Sequence, residues 1–428
     1  MISVSFILIL FLILIAFSIP IAISMGLISL LALAISDITL LVAVKRIIEG
    51  VNVFPLLAVP LFLFAGSVIS SGGLAGRMIK SVQAMVGWIR GGLSLANVGA
   101  SMFFGGVSGS AASDIASIGT ILIPAMEKEG YDRSYATAVT VTSATLGPII
   151  PPSIPAVIYA YVAGNISVAG LFMANLFPGI LIGLALMWVS YITAVKRGYP
   201  KENFVGCREL IKRFFTGIPG LGGFLIIVGG TTAGIYTATE AGAIASIYAL
   251  IIAIFFYREI TLKDIPDILL DTALTTALVM FLIATTSIFS WYIGYNNIPQ
   301  MFSNSLLTLI ENKYMILIII NLILFVIGAF IDATPALLLL VPILVPLGDQ
   351  IGVNPYHMGS IIIINLVFGL ITPPVGTSLF VGCSVSGLSI NAITNEMKWF
   401  FLSMLVILIL VTFFPAISLL GPRLFGLL

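Results

Sequence analysis

The chain has 428 residues, 60% of them hydrophobic and only 8% Asp, Glu, Lys or Arg, where a soluble globular protein carries roughly a quarter charged residues. So little charge cannot cover a soluble globule, and most of the surface is expected to face lipid. The net charge of +1 gives no electrostatic case for nucleic acid. Two distant cysteines (Cys207, Cys383) and a single histidine (His357) exclude a Cys/His metal site of the usual kind. No Gly-x-x-x-x-Gly-Lys-Ser/Thr stretch is present to cradle ATP, so the expected energy source is an ion gradient or a separate subunit, with no cofactor.

From Met1 to Ser36 there is no charged residue. This stretch lacks the basic start and small-residue cleavage site of a secretory leader. It is also longer than the ~20 residues of one upright crossing. Two short helices, or one long tilted helix, are expected over 3–35, with Pro20 near the join. Apolar runs suited to crossing follow at 50–71, 132–163, 170–195, 217–235, 238–257, 272–293, 354–385 and 398–421. Two other apolar stretches, 91–126 and 300–345, are interrupted by Gly, Ser, Asp and Pro at mid-span. Irregular backbone at membrane depth survives only where protein buries it or a cavity wets it, so each predicts a re-entrant helical hairpin.

Basic residues orient these segments. Lys196, Arg197, Lys201, Arg208, Lys212 and Arg213 make 196–216 the longest polar stretch, expected to be a cytoplasmic linker. Arg77, Lys80, Arg90, Arg258 and Lys263 fall on the same side. Lys45 and Arg46 do not: their loop lies outside, with Glu49 partly offsetting them. Trp88, Trp188, Trp291 and Trp399 stand near predicted helix ends as interfacial anchors. His357, at a loop-to-helix boundary, is expected to be interfacial.

An internal repeat organises the rest. Gly147-Pro148-Ile149-Ile150-Pro151-Pro152 resembles Gly369-Leu370-Ile371-Thr372-Pro373-Pro374, an offset of 222 residues. Carried backward without a gap, the offset pairs Gly130 with Gly352, Pro124 with Pro346, Ala111 with Ala333 and Gly106 with Gly328. The chain therefore divides into 1–195, the linker 196–216, and 217–428. An odd number of crossings separates equivalent positions, so the second half is inverted. Inverted repeats place substrate and ion sites near the midplane between the halves.

The residues at those places suit a hard cation and an anion. Hairpin one carries Gly105-Gly106-Val107-Ser108-Gly109-Ser110-Ala111-Ala112-Ser113-Asp114. Small residues alone would serve close packing, but three hydroxyls and a carboxylate together favour oxygen ligation. The consecutive prolines at 151–152 and 373–374 must break their helices, exposing carbonyls to cations and half-helix N-termini to anions. Asp332, in Asp332-Ala333-Thr334-Pro335, aligns with Ser110 and is read either as part of a cation site or as a helix cap. Glu240 has capping-box spacing from Thr237, which makes a structural role at least as good as a functional one.

Ser108-Gly109-Ser110-Ala111-Ala112, Ile150-Pro151-Pro152-Ser153, Asp332-Ala333-Thr334-Pro335 and Thr372-Pro373-Pro374-Val375-Gly376 resemble the large membrane subunit of tripartite ATP-independent periplasmic (TRAP) transporters, the DctM type. Asn52-Val53-Phe54-Pro55-Leu56-Leu57-Ala58-Val59-Pro60 is similar too, and the match spans the chain. Ala238 and Ser113 depart from the family pattern. The resemblance implies an all-α polytopic protein of the bacterial inner membrane: an inverted-repeat, elevator-type carrier with two re-entrant hairpins and two broken helices. It implies sodium-coupled uptake of a carboxylate of the sialic acid or C4-dicarboxylate class. A small four-helix membrane subunit (Q type) and a periplasmic substrate-binding protein (P type) would be its partners.

By the same resemblance, one sodium site would use Ser108, Ser110, Gly147, Ile150 and Pro152, and a second Gly328, Asp332, Gly369, Thr372 and Val375. The substrate would lie between the hairpin tips, with Ser108, Ser113, Asp114, Ser153, Thr334 and Thr377 as candidate contacts. An ion channel and an ABC-type permease are the alternatives. An aspartyl enzyme fits less well, since Asp114 and Asp332 do not occupy corresponding repeat positions.

Overall fold

A computed structural model describes residues 4–17, 19–71, 74–164, 166–203 and 206–428, without the side chains of residues 4–6, 8, 12, 16, 74, 75, 107, 207, 216, 218 and 221. The described residues form helices and connections, with no strand among them. The first half contains α1 (Val4–Ala16), α2 (Ile21–Ile35), α3 (Leu41–Val51), α4 (Ala58–Ser71), α5 (Leu74–Val86), α6 (Gly92–Ser108), α7 (Ala111–Lys128), α8 (Arg133–Ala144), α9 (Ile154–Ala163) and α10 (Val168–Arg197). The second contains α11 (Cys207–Thr232), α12 (Ala238–Ile251), α13 (Ile265–Tyr295), α14 (Ile298–Leu309), α15 (Lys313–Phe330), α16 (Ala333–Gln350), α17 (Pro355–Gly369), α18 (Thr377–Ser386), α19 (Ile390–Phe413) and α20 (Pro415–Leu424).

Among the described residues, seven helices are long and apolar enough to cross a membrane. At 1.5 Å per residue, the 30-residue α10 and 31-residue α13 exceed the ~30 Å hydrocarbon core and must tilt or project.

Shifted by 222 residues, α6 and α7 fall on 314–330 and 333–350, which α15 and α16 occupy to within one residue. The same shift lays α8 on α17, α9 on α18 and the start of α10 on that of α19. It also lays α5 on α14, a pair that hydropathy alone does not reveal.

Several boundaries move. The hairpin expected over 300–345 is α15–α16, because 300–309 belongs to α14, an amphipathic helix whose apolar face merges with the run that follows. The 196–216 stretch is not all linker: α10 reaches Arg197 and α11 begins at Cys207, where Glu209 and Arg213 form an i,i+4 pair at 2.9 Å. The 50–71 run is divided by a 3₁₀ turn at Phe54–Leu57 containing Pro55. The 398–421 run breaks at Phe414, before Pro415. The apolar opening resolves as two helices, with Pro20 at the N-cap of the second.

Thr237 and Glu240 complete a capping box on α12, in which Glu240 accepts the Thr237 amide at 2.8 Å; this gives Glu240 a structural role. His357, expected to be interfacial, packs inside the protein. It is buried in α17, with Nδ1 2.7 Å from the Ser418 hydroxyl of α20.

The two hairpins and two broken helices interlock. Each hairpin packs on its own broken helix, α6 and α7 on α8, and α15 and α16 on α17. The distal half of each broken helix crosses to the opposite hairpin: α9 packs on α16, and α18 on α7. Around this body, α4 packs on α12, while α2, α3 and α4 pack on α13.

Glycine makes the tightest crossings possible. A Cβ on Gly369 would fall inside the backbone of Gly328, and one on Gly105 would lie 2.5 Å from the Gly147 Cα. Neither neighbour is a side chain that could turn aside. Gly369→Ala is therefore expected to destabilise by ~1–3 kcal/mol, the usual cost of overpacking. Gly294→Ala, with open space around the new methyl, is expected to be neutral or slightly stabilising. Thermal unfolding of the detergent-solubilised variants compares the two; equal stability would show that the Gly328–Gly369 crossing can relax.

Candidate ion and substrate site

The first hairpin turns at Gly109, whose φ of +62° ends α6 in the left-handed conformation. Ser110 then runs extended as the N-cap of α7. This turn gathers Ser108, Ser110 and Asp114. The Ser108 hydroxyl donates to Asp114 Oδ1 and accepts the Ser110 amide at 3.3 Å. Asp114 is fully buried, and among the described residues no donor reaches its Oδ2. That oxygen lies against Gly147: a Cβ there would sit 2.5 Å from it.

The break between α8 and α9 wraps this tip. The Pro151 carbonyl oxygen is 3.0 Å from where a Gly106 Cβ would stand, and the Pro152 oxygen is 3.3 Å from that of Gly109. Ser108, Ser110, Gly147 and Pro152 thus come together as expected, and Asp114 joins them. The Ile150 side chain packs toward Gly179 of α10, which leaves only its backbone for a ligand. Ser153 is buried; its hydroxyl donates to the Pro148 carbonyl across the break and caps α9 by accepting the Ala156 amide at 3.2 Å.

The second hairpin repeats this plan with different side chains. Asp332 caps α16, where Oδ1 accepts the Thr334 amide at 3.3 Å and Oδ2 accepts the Thr377 hydroxyl at 3.3 Å. Capping and ligation need not exclude each other, since a carboxylate oxygen has two lone pairs. Gly328 of the hairpin touches Gly369 at the start of the break. The Thr372 hydroxyl donates to the Phe368 carbonyl at 2.8 Å, and the Gly376 amide to the Ala329 carbonyl at 3.3 Å. Val375 is half-buried beside them.

The two junctions differ in access. Residues 147–153 are all buried, and Phe224 of α11 lies against Gly106 at the first tip. In the second half Asp332, Pro373, Pro374 and Thr377 are exposed. Of the candidate substrate contacts, Thr377 is exposed and Ser113 and Thr334 half-buried, whereas Ser108, Asp114 and Ser153 are enclosed. The oxygens available to a hard cation are therefore Asp114 Oδ2 with the Ser108 and Ser110 oxygens in one junction, and Asp332 with the carbonyls of the 369–375 break in the other.

Sequence reasoning missed the bonds that hold each hairpin to its broken helix. Asn97 donates to the Thr140 hydroxyl at 2.7 Å, and Ser101 to Ser143 at 2.9 Å, joining α6 to α8. Asn365 donates to the Asn321 side-chain oxygen at 2.7 Å, joining α17 to α15. Ser143 and Asn365 are 222 residues apart, whereas their partners Ser101 and Asn321 do not correspond under that offset. Asparagines inside apolar runs were the available signal.

Residues 8–417 match the model of a family described as the DctM component of the tripartite ATP-independent periplasmic transporter. The chain is 37% identical over 382 residues to the C4-dicarboxylate TRAP transporter large permease protein DctM of Pseudomonas aeruginosa, covering 89% of each chain. It is 37% identical over 383 residues to the sialic acid TRAP transporter large permease protein SiaM of Vibrio cholerae, covering 90% of each. Its fold is similar to the Alcanivorax borkumensis YdaH transporter, with a TM-score of 0.64 over 89% of each chain at 14% identity. An all-α chain with this family match and seven membrane-length helices is a multi-pass inner-membrane transport permease and not an enzyme: it belongs to the DctM family of TRAP transporter large permeases.

Proposed function

We propose that this permease takes up a small organic carboxylate together with sodium, with ions at the two hairpin–break junctions and the carboxylate between the hairpin tips. The observation that carries the reading is the buried Asp114, whose second oxygen has no donor among the described residues. Burying a carboxylate without full compensation costs several kcal/mol. A sodium ion at that oxygen, with the Ser108 and Ser110 oxygens and the Gly147–Pro152 backbone, would offset the cost. Asp114 therefore serves the cation better than the substrate. In the second junction Gly328, Asp332, Gly369, Thr372 and Val375 would act in the same way. The exposed Thr377 and half-buried Thr334 and Ser113 are left to meet the carboxylate.

The relatives named above carry a C4-dicarboxylate and a sialic acid in their descriptions, which supports the carboxylate class without choosing between the two. The interlocked hairpins and broken helices suit a rigid body that slides against α2–α4 and α11–α13 as an elevator, in inverted halves with re-entrant hairpins. A Q-type four-helix membrane subunit and a P-type periplasmic binding protein complete the proposed assembly. The energetics suffice. Two sodium ions down a roughly tenfold gradient supply about 2.8 kcal/mol. One net positive charge adds ~2.3 kcal/mol at about 100 mV, enough for several-thousand-fold accumulation of a monoanion.

Proteoliposomes holding the permease and its small partner, given labelled carboxylates with and without an inward sodium gradient and the binding protein, test the reading. Uptake is expected to need both. Uptake of some acid that ignores sodium would refute the coupling. Asp114→Asn and Asp332→Asn are each expected to lower sodium-driven uptake at least tenfold while leaving the purified protein monodisperse. Unchanged sodium dependence in both variants would remove the two junctions as ion sites.

A further inference from the structure

The two cations that violate the charge rule, Lys45 and Arg46, lie on α3 beside a crevice of about 420 Å³, within the range of small-molecule sites. Arg46, Glu49, Tyr161, Ser287, Ser290 and Trp291 line it. Its walls belong to two different parts of the fold. Arg46 and Trp291 stand on α3 and α13, whereas Tyr161 is on α9 and Leu338 and Pro342 are on α16. Tyr161 reaches across to donate to the Gly50 carbonyl at 2.8 Å. Asp332 caps the same α16, and Leu338 lies six residues beyond it, about 9 Å along the axis.

We propose that this crevice is an outer binding site for the carboxylate cargo, separate from the hairpin tips; it rests on the carboxylate-uptake reading above. Glu49 is shared between Lys45 at 3.7 Å and Arg46 at 3.1 Å, so two cations face one carboxylate and the mouth keeps an excess positive charge. A guanidinium has five N–H donors in a planar fork, and Arg46 gives one to Glu49. The rest suit a second carboxylate, with the Ser290 hydroxyl alongside, while the Ser287 hydroxyl donates to the Ile283 carbonyl at 2.8 Å. In a chain with 8% charged residues, an arginine on the side that the sequence reading makes the outer one calls for a use. Holding an anion at the outer mouth of the moving body supplies one. The neighbouring polar groups distinguish this crevice from two others of similar or greater size, one between α10 and α19 and one between α15 and α19, whose linings are mainly apolar.

The Arg46 guanidinium carbon lies 5.5 Å from the Trp291 ring centroid, so occupancy should be visible in tryptophan fluorescence. The purified full chain, in sodium-free choline chloride buffer, would be titrated with succinate, gluconate and N-acetylneuraminate, with succinamide as the uncharged control. At least one acid is expected to give a saturable change that succinamide does not. Arg46→Gln should weaken it tenfold or more, Arg46→Lys less, and Ser290→Ala about threefold. Trp291→Phe should remove the signal while calorimetric binding persists. No saturable sodium-free binding of any acid, equal binding in Arg46→Gln of unchanged thermal stability, or an equal response to succinamide would overturn the proposal. Proteoliposome uptake run in parallel separates the two readings. Sodium-driven uptake with unchanged half-saturation in Arg46→Gln would discard the outer site alone. Arg46-dependent binding without uptake by the wild type would keep the site and discard the transport reading.

Discussion

Every backbone group that leaves a helix inside a membrane must find a partner in the protein or in a bound ligand, because lipid offers none. Among the described residues, helices break inside the body at the tips of α6–α7 and α15–α16, and between α8 and α9 and α17 and α18. Each break is placed against another. Gly105 on Gly147 and Gly328 on Gly369 bring hairpin and broken helix into backbone contact, and amides and carbonyls freed by one are served by the other, as in Gly376 with Ala329. The paired prolines reduce the number of amides needing partners while leaving carbonyls behind. A surplus of oxygen over N–H follows from that arithmetic, and it lies where a hard cation could use it.

The interlocking joins the two junctions. Because α9 packs on the second hairpin and α18 on the first, each half places one of its helices against the other's hairpin. The Asn97–Thr140, Ser101–Ser143 and Asn321–Asn365 bonds then fix each hairpin to its own broken helix. Asp114 is enclosed while Asp332 is accessible. The first junction is thus covered and the second open.

Much of this plan was legible in the sequence, for a physical reason. Gly and Pro pairs mark backbone that cannot be helical or must be closely approached, and that requirement is local, so Gly147–Pro152 and Gly369–Pro374 announced their repeat and their breaks. The capping box at Thr237 and Glu240 was legible for the same reason. Amphipathic helices were not. Here α3, α5 and α14 bury one face and expose the other, so hydropathy merged α14 with the following hairpin, while the basic cluster of 196–213 hid the start of α11 at Cys207. Contacts between distant segments were also hidden. His357 with Ser418, and Asp114 against Gly147, depend on how helices meet, which no single stretch encodes.

The claim on which the account turns is that the junctions bind sodium, and the most direct measurement is thermal unfolding of the purified permease in sodium against potassium at constant ionic strength. A ligand at about a hundred times its Kd stabilises the folded state by ~2.7 kcal/mol. Saturating sodium is therefore expected to raise the midpoint by several degrees over potassium, with the shift reduced in both Asp114→Asn and Asp332→Asn. Identical unfolding in the two salts, in protein that remains folded and monodisperse, would contradict the account.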